Sequence, residues 1–231
     1  MKYLYLIAII LLNYSCKTDP KETTTLSPPK DHTIMTVTPE QRDALVAELK
    51  TRFEKDQKAL SNLINSPQDS RKQLEAIKKS VVADNTKRMK ELFEKYGFLG
   101  WDLVGEEGSH HFWLMVQHSD EDTDFQYAVL KKMGPAVEKN NAFAPNYAYL
   151  TDRVRLNTNK KQIYGTQVTY KDNGQAIPKP LVDSLNVNTR RNDIAMKPIE
   201  LYLNSMTKKN WRLNKDIYME NGFEEMTLHK E

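Results

Sequence analysis

The sequence has little cysteine, little glycine and no long apolar segment. A single cysteine among 231 residues excludes an internal disulfide framework and a metal site built from several cysteines. Eight glycines exclude a collagen-like or glycine-rich chain. The apolar run at residues 3–12 makes only about 15 Å of helix, which is half of a bilayer core, so it predicts no membrane span.

The chain also lacks an excess of charge of one sign. Its 34 basic and 31 acidic residues leave a formal charge of +3, so we expect no nucleic-acid partner. An apolar content of 39% argues against wholesale disorder, and the length suits one domain with a real core. No phosphate-binding glycine loop or dinucleotide fingerprint is present, and we predict no cofactor.

The N-terminus has the organisation of an export signal. Lys2 precedes the apolar run, and the chain turns polar directly after Ser15 and Cys16. This arrangement resembles a bacterial lipoprotein signal of the looser kind found in Bacteroidota, which implies cleavage after residue 15 and lipid on the Cys16 thiol. The alternative is an ordinary secretory signal with an incidental cysteine. We therefore expect a protein of the bacterial cell envelope, anchored by lipid to the periplasmic face of the outer membrane.

The rest of the chain divides into three segments. Residues 16–37 hold the lipidated cysteine and a flexible tether rich in threonine, proline and mixed charge. Residues 38–97 are predicted to form a helical lead-in, and residues 98–231 an α+β domain. We expect the lead-in to begin with Thr38 as the helix cap and Pro39 at the first helical position.

The lead-in is predicted to be a pair of antiparallel helices. In the first helix, Asp56 and Gln57 interrupt a stripe of apolar residues at helical spacing. A second helix is predicted to begin near residue 67 and to end at Gly97. After a loop at residues 101–108, a third helix at 110–118 is predicted to be central because five consecutive residues in it are apolar.

A change in periodicity predicts a small sheet after a fourth helix that starts at a capping box at residues 123–126. Residues 149–156 and 161–170 have the pattern of strands around a polar turn, and a second turn at 172–174 leads to a short edge segment. Residues 194–206 are predicted to be helical again. The predicted fold class is α+β and mostly α, with an N-terminal helical hairpin, central helices and a small antiparallel β-hairpin or sheet.

Two residues stand out as candidate catalytic groups. Asp152 falls in an otherwise apolar row of the predicted strand, where a carboxylate needs partners. His118 closes the third helix, whose dipole favours an imidazolium there. Together they suggest an acid–base pair, although a structural Asp–Arg pair and a hydrogen-bonded packing histidine explain the same residues.

The histidine spacing does not favour a metal site, and we predict none. His111 and His118 are two helical turns apart, about 10 Å, which is too far to share one ion. Arg190 and Arg191 are adjacent and have the chemistry to clamp a carboxylate or phosphate, or else are simple surface charges.

Several short blocks resemble an uncharacterised bacterial family that is known only as a domain of unknown function and occurs in lipoproteins. The resemblance covers about residues 84 to 205 and is carried by the QHSD, YLTDRV and QIYGTQ blocks at 117–120, 149–154 and 162–167, with Trp101 and Arg190-Arg191. It implies no established activity. The polar residues that match its motif positions are Gln117, His118, Asp120, Gln126, Asp152, Arg153, Gln162, Tyr164 and Gln167.

These observations predict a lipid-anchored envelope protein with one pocket for a small polar or anionic ligand. His118 and Asp152 are the expected acid–base pair of this pocket. The sequence leaves open whether the protein is an enzyme, and if it is one, the expected activity is hydrolytic. The expected binding residues are Gln117, Asp120, Gln126, Arg153, Gln162, Tyr164, Gln167, Arg190 and Arg191. The alternative is a non-catalytic interaction domain in which the same side chains form a structural hydrogen-bond network.

Overall fold

The structure is a computed structural model that describes residues 37–66 and 68–230. The predicted signal peptide, Cys16 and all but the last residue of the tether lie outside the described residues. The described part contains seven α-helices and one β-hairpin: α1 (Pro39–Asn65), α2 (Arg71–Tyr96), α3 (Trp101–Gln117), α4 (Thr123–Glu138), α5 (Ala144–Asn157), β1 (Val168–Tyr170), β2 (Ala176–Pro178), α6 (Val187–Asn192) and α7 (Ile199–Glu220).

The start of α1 confirms the predicted capping box. The Thr38 side chain accepts a hydrogen bond from the Gln41 backbone N–H, and the Gln41 side chain accepts one from the Thr38 N–H. These bonds satisfy amide groups that a helix N-terminus leaves without partners, and Pro39 has no N–H to satisfy. The second helix begins at Arg71, after a short 3-10 turn, and ends before Gly97, which adopts φ +73°.

Helix α3 is longer than the sequence predicts, because residues 101–108 are helical and not a loop. Two backbone N–H groups, of Leu103 and Val104, bond to the Gly100 carbonyl at 3.2 and 3.1 Å and close the first turn. The helix is interrupted at Gly105, which adopts φ +70°. This break shifts the face that the side chains present, so the apolar residues before and after it do not follow one helical repeat. The predicted central position is confirmed, since α3 packs against α1, α2, α4 and α5.

The strand predicted at residues 149–156 is wrong, because these residues lie inside α5. The apolar residues Leu150 and Val154 are four positions apart, so they share a face in a helix as they do in a strand, and periodicity alone did not separate the two. Pro145, in the first turn, and the buried Ala148 favour the helix.

The predicted hairpin is displaced along the chain. A turn is present at residues 158–159, within the predicted 157–160, but it follows helix α5 and not a strand. The strand predicted at 161–170 is reduced to β1 at its C-terminal end. The predicted turn at 172–174 joins β1 to β2, which pair in antiparallel register with Thr169 opposite Ile177. The helix predicted at 194–206 is α7, which starts five residues later and extends to Glu220.

Two groups of buried apolar residues hold the fold together. The larger group is enclosed by helices α1, α2, α3, α4 and α5 and includes Leu49, Met89 and Phe112. The smaller group lies under the hairpin and includes Ala176 and Leu203. The fold is mostly α with a small antiparallel sheet, as predicted. Among the described residues, no helix combines the length and hydropathy that crossing a membrane requires.

Candidate functional site

The residue that contacts His118 is Asp56, on α1. His118 follows directly after α3, and its Nδ1 atom lies 2.9 Å from one carboxylate oxygen of Asp56 and 3.2 Å from the other. The Asp56 side chain is only 3% exposed, and Gln57 Nε2 donates a second hydrogen bond to it at 3.0 Å. Since an ionised carboxylate only accepts hydrogen bonds, Nδ1 is the protonated nitrogen, and Nε2 is the one that can exchange a proton with a ligand.

A cavity of about 890 Å³ lies beside this pair, between α2 and residues 118–122. Val82, Ala83 and Thr86 of α2 face it from one side, and His118 and Ser119 line the other. The remaining lining residues are mostly charged: Glu75, Lys78, Lys79, Lys87, Lys90, Glu91, Glu94, Asp120, Glu121 and Asp122, together with Leu63. His118 is therefore the imidazole that a bound molecule would meet.

Two ion pairs join α2 to the segment that closes the cavity. Lys79 Nζ lies 3.0 Å from Glu121, and Lys90 Nζ lies 2.6 Å from Asp122. The ion pair with Lys90 lowers the pKa of Asp122, which also caps α4 by accepting from the Phe125 N–H at 3.0 Å. Both walls of the cavity are thereby tied to each other.

The hydroxyl groups in the cavity are already committed to partners. Thr86 Oγ1 donates to Ser119 Oγ at 2.8 Å, and Ser119 Oγ donates to the Met115 carbonyl at 2.9 Å. The Ser119 proton therefore does not point to a base, so nucleophilic catalysis by this serine is not favoured. What the site can do chemically is transfer protons through His118.

A second network holds the end of α3 in place. Gln126 is fully buried, and its amide donates to the carbonyls of Val116 and Gln117 at 3.1 and 3.2 Å. Asp120 accepts from Arg153 Nε at 2.6 Å and from Asn157 at 3.0 Å. Gln117 is itself buried. These contacts fix the backbone that carries His118.

The ionisation of Asp120 reflects this network. Partial burial opposes the charge on the carboxylate, but the hydrogen bonds and the positive charge of Arg153 outweigh burial, so the pKa of Asp120 is lowered. A carboxylate with a lowered pKa in the folded protein binds fewer protons there than in the unfolded chain, and it therefore links stability to pH.

Asp152 belongs to a third network and does not contact His118. It is fully buried on α5 and accepts hydrogen bonds from the backbone N–H groups of Ile163, Tyr164 and Thr166 and from the Thr166 hydroxyl, at 2.6 to 3.2 Å. The structure thus separates the expected acid–base pair. Asp152 orders the loop at residues 163–166, because a helical α5 directs it there.

The other predicted binding residues gather around the same loop. Gln162 is fully buried and donates to the carbonyls of Gln167 and Lys179 at 2.9 and 2.8 Å. Arg191 is also buried and donates to the carbonyls of Tyr164 and Lys197, each at 2.7 Å. Arg190 donates to the carbonyls of Ile163, Val182 and Asp183.

Burial also shifts the ionisation of this loop's neighbours. It raises the pKa of the Tyr164 phenol and lowers the pKa of the Arg191 guanidinium. Tyr202, on α7, donates to the Thr166 carbonyl at 2.6 Å, and burial raises the pKa of this phenol as well. The polar groups of the QIYGTQ block thus bond mainly to the protein itself.

The structure divides the predicted site residues into two groups. His118 and Asp120 line the cavity, with Gln117, Gln126 and Arg153 beside them, and the others surround residues 163–166. The sequence reasoning missed Asp56 as a partner of His118. The available signal was its position as a polar interruption in the apolar stripe of α1. Among residues 37–66 and 68–230, no three His, Cys, Asp or Glu side chains are grouped to hold a metal ion.

The fold and site define a mostly helical protein in which a buried aspartate contacts a partly exposed histidine at the wall of a cavity. The chain belongs to the DUF6624 family, a family of unknown function, whose model matches residues 43–213. The match includes α1 and α2 as well as the blocks from residue 101 onward. Comparisons with curated proteins and with solved structures gave no match.

Replacing Asp152 by asparagine is expected to destabilise the protein strongly. The amide NH2 of asparagine would be a donor facing backbone N–H groups, which in the wild type share a carboxylate. The free energy of unfolding, measured by urea denaturation, should therefore fall by about 2–4 kcal/mol. Asp172→Asn, in the exposed hairpin turn, is the matched control and should change it by less than about 0.5 kcal/mol. Equal stability of the two variants would contradict the role assigned to Asp152.

The lowered pKa of Asp120 predicts acid-dependent stability. The folded-state pKa lies below the ordinary value of 3.8, so the stabilisation is present above that value and is lost as pH falls through the folded pKa. Between about pH 5 and pH 2, the unfolding free energy of the wild type should fall more steeply than that of Asp120→Asn. The reverse order of slopes would refute the assignment.

Proposed function

We propose that the protein is a lipid-anchored component of the bacterial cell envelope. In this proposal, the cavity between α2 and residues 118–122 binds a small polar or anionic ligand with which His118 exchanges a proton. The observation that supports proton exchange in this cavity is the contact between His118, which lines the cavity, and the buried carboxylate of Asp56. A carboxylate in this position selects one ring tautomer and stabilises the imidazolium that forms during proton transfer.

The position of His118 at the end of α3 supports the same role. The C-terminal end of a helix favours positive charge, so the end of α3 and Asp56 both stabilise the charge that the ring gains during proton transfer. If the reaction is a hydrolysis, His118 Nε2 takes a proton from water as the water oxygen bonds to the electrophilic atom of the ligand. It then returns that proton to the leaving group as the bond between this atom and the leaving group breaks. Of the charged residues lining the cavity, Lys78 and Lys87 are the groups that suit an anionic ligand.

A specific observation favours the alternative of a non-catalytic domain. The side chains of Asp152, Gln162 and Arg191 form hydrogen bonds with backbone groups of the protein itself. A structural network of this kind needs no ligand. The two proposals differ in what happens at His118, which lies outside that network.

A ligand screen on the full chain tests the cavity. Sugars, sugar phosphates, dipeptides and nucleotides would be screened by thermal shift, and the affinity of each hit measured by calorimetry. We expect His118→Ala to abolish the binding of a hit. Asp56→Asn should weaken it by about tenfold or more, since the ring loses its charged partner.

The control for this screen is Asp172→Asn, in the exposed hairpin turn, which is not among the residues that line the cavity. An exposed side chain outside the site contributes little to binding, so the affinity should change by less than about threefold. Far-ultraviolet circular dichroism would confirm that each variant is folded. Hits whose affinity is unaffected by His118→Ala would overturn the proposed site and favour the non-catalytic alternative.

Anchoring is tested separately at Cys16. Acyl chains on this residue would hold the protein on a membrane without any spanning helix, and two chains are needed for stable attachment. Cells grown with an alkyne fatty acid should yield labelled wild-type protein and unlabelled Cys16→Ala. The absence of label on the wild type, or its persistence in the variant, would contradict lipid anchoring.

A further inference from the structure

A second cavity, of about 210 Å³, lies at the start of α3 and is distinct from the one beside His118. Its lining combines aromatic and apolar side chains with polar ones: Trp101, Glu106, Ser109, His110, Met133, Phe143 and Asn146. They come from α3, α4 and the beginning of α5. A cavity of this size suits a ligand smaller than the drug-sized molecules that fill ordinary pockets.

The break at Gly105 determines which side chains face this cavity. The helix resumes at Glu106, and His110 lies one turn further on, on the same face. The adjacent Glu107 is directed elsewhere, toward His111, whose Nε2 lies 3.8 Å from its carboxylate. Two neighbouring glutamates thus have different surroundings, which provides a matched pair for experiment.

The charge of the lining comes from Glu106 alone. The Asn146 amide lies 3.4 Å from His110 Nδ1, where it can donate to an unprotonated ring nitrogen. Burial lowers the pKa of His110, so its ring is neutral near pH 7. The lining therefore contains a carboxylate, a neutral imidazole, an amide and the Ser109 hydroxyl, and no Lys or Arg.

The aromatic residues indicate what kind of cation fits. Phe143 is 53% exposed although it is a large apolar residue, and it lines the cavity together with Trp101. Aromatic faces attract organic cations, and a nearby carboxylate adds charge attraction. An inorganic cation would find fewer than three ligand side chains here, and an anion would be repelled by Glu106.

The favourable effect of an acidic residue at a helix start explains Glu106 by itself. It does not explain why two aromatic side chains and a neutral histidine surround the same space. We propose that this cavity binds a small organic ammonium group of about the size of choline, either as a free ion or as part of a lipid headgroup.

The test compares choline with 3,3-dimethylbutan-1-ol, in which carbon replaces the charged nitrogen and the shape is retained. The probes would be titrated into the full chain carrying Cys16→Ala, and binding followed by calorimetry. Choline should bind at least about tenfold more tightly than the neutral alcohol. Equal affinities, or no saturation by choline below about 20 mM, would overturn the proposal.

Variants locate the site. Glu106→Gln should weaken choline binding by about fivefold without changing the affinity for the alcohol, and Phe143→Ala should weaken both. The control Glu107→Gln should bind choline as the wild type does. A loss in Glu107→Gln equal to that in Glu106→Gln would indicate general surface charge and refute the site.

Vesicles distinguish the two sources of the ammonium group. If the ligand is a headgroup, the same chain should sediment with phosphatidylcholine vesicles but not with phosphatidylglycerol vesicles, and Glu106→Gln should reduce that binding. Binding of free choline without binding to vesicles assigns the site to a soluble ion. Failure of the choline titration would overturn the proposal whatever the vesicles show, while leaving the cavity at His118 untouched.

Discussion

Asp56 is a carboxylate removed from water in the middle of a long helix, and the site depends on how its charge is compensated. Burial of an unpaired charge costs several kcal/mol, so α1 can keep this residue only where His118 and Gln57 contact it. The contact brings α1 against the end of α3. The same arrangement puts an oriented imidazole at the wall of the cavity beside α2.

Asp120 and Asp152 organise the surrounding backbone in a similar way. Asp120 binds Arg153 beside the end of α3, and Asp152 binds the amide groups of residues 163–166. Asp152 and Arg153 are adjacent on α5. One turn of this helix therefore contacts both the loop after α3, through Asp120, and the loop before the hairpin, at residues 163–166. The QHSD, YLTDRV and QIYGTQ segments of this chain therefore contact one another, through the Asp120–Arg153 ion pair and through the hydrogen bonds of Asp152 to the backbone of residues 163–166.

The predominance of helices, the capping box at Thr38 and the central position of α3 could be predicted from local patterns. The pairing of His118 could not, since its partner Asp56 lies 62 residues away in the chain and sequence spacing carries no information on which helices meet. The strand expected at residues 149–156 failed because Leu150 and Val154 fit both periodicities. That error also paired His118 with Asp152, whose partners are set by the helix.

In this structure, Asp56 holds the neutral His118 ring with its proton on Nδ1. Long-range nitrogen–proton NMR of the full chain, with His118 assigned through His118→Gln, reads the state of both ring nitrogens directly. We expect a protonated Nδ1 and an unprotonated Nε2 in the wild type, and a redistribution of the proton between the two nitrogens in Asp56→Asn. A proton on Nε2 in the wild type, or identical spectra for both proteins, would contradict it.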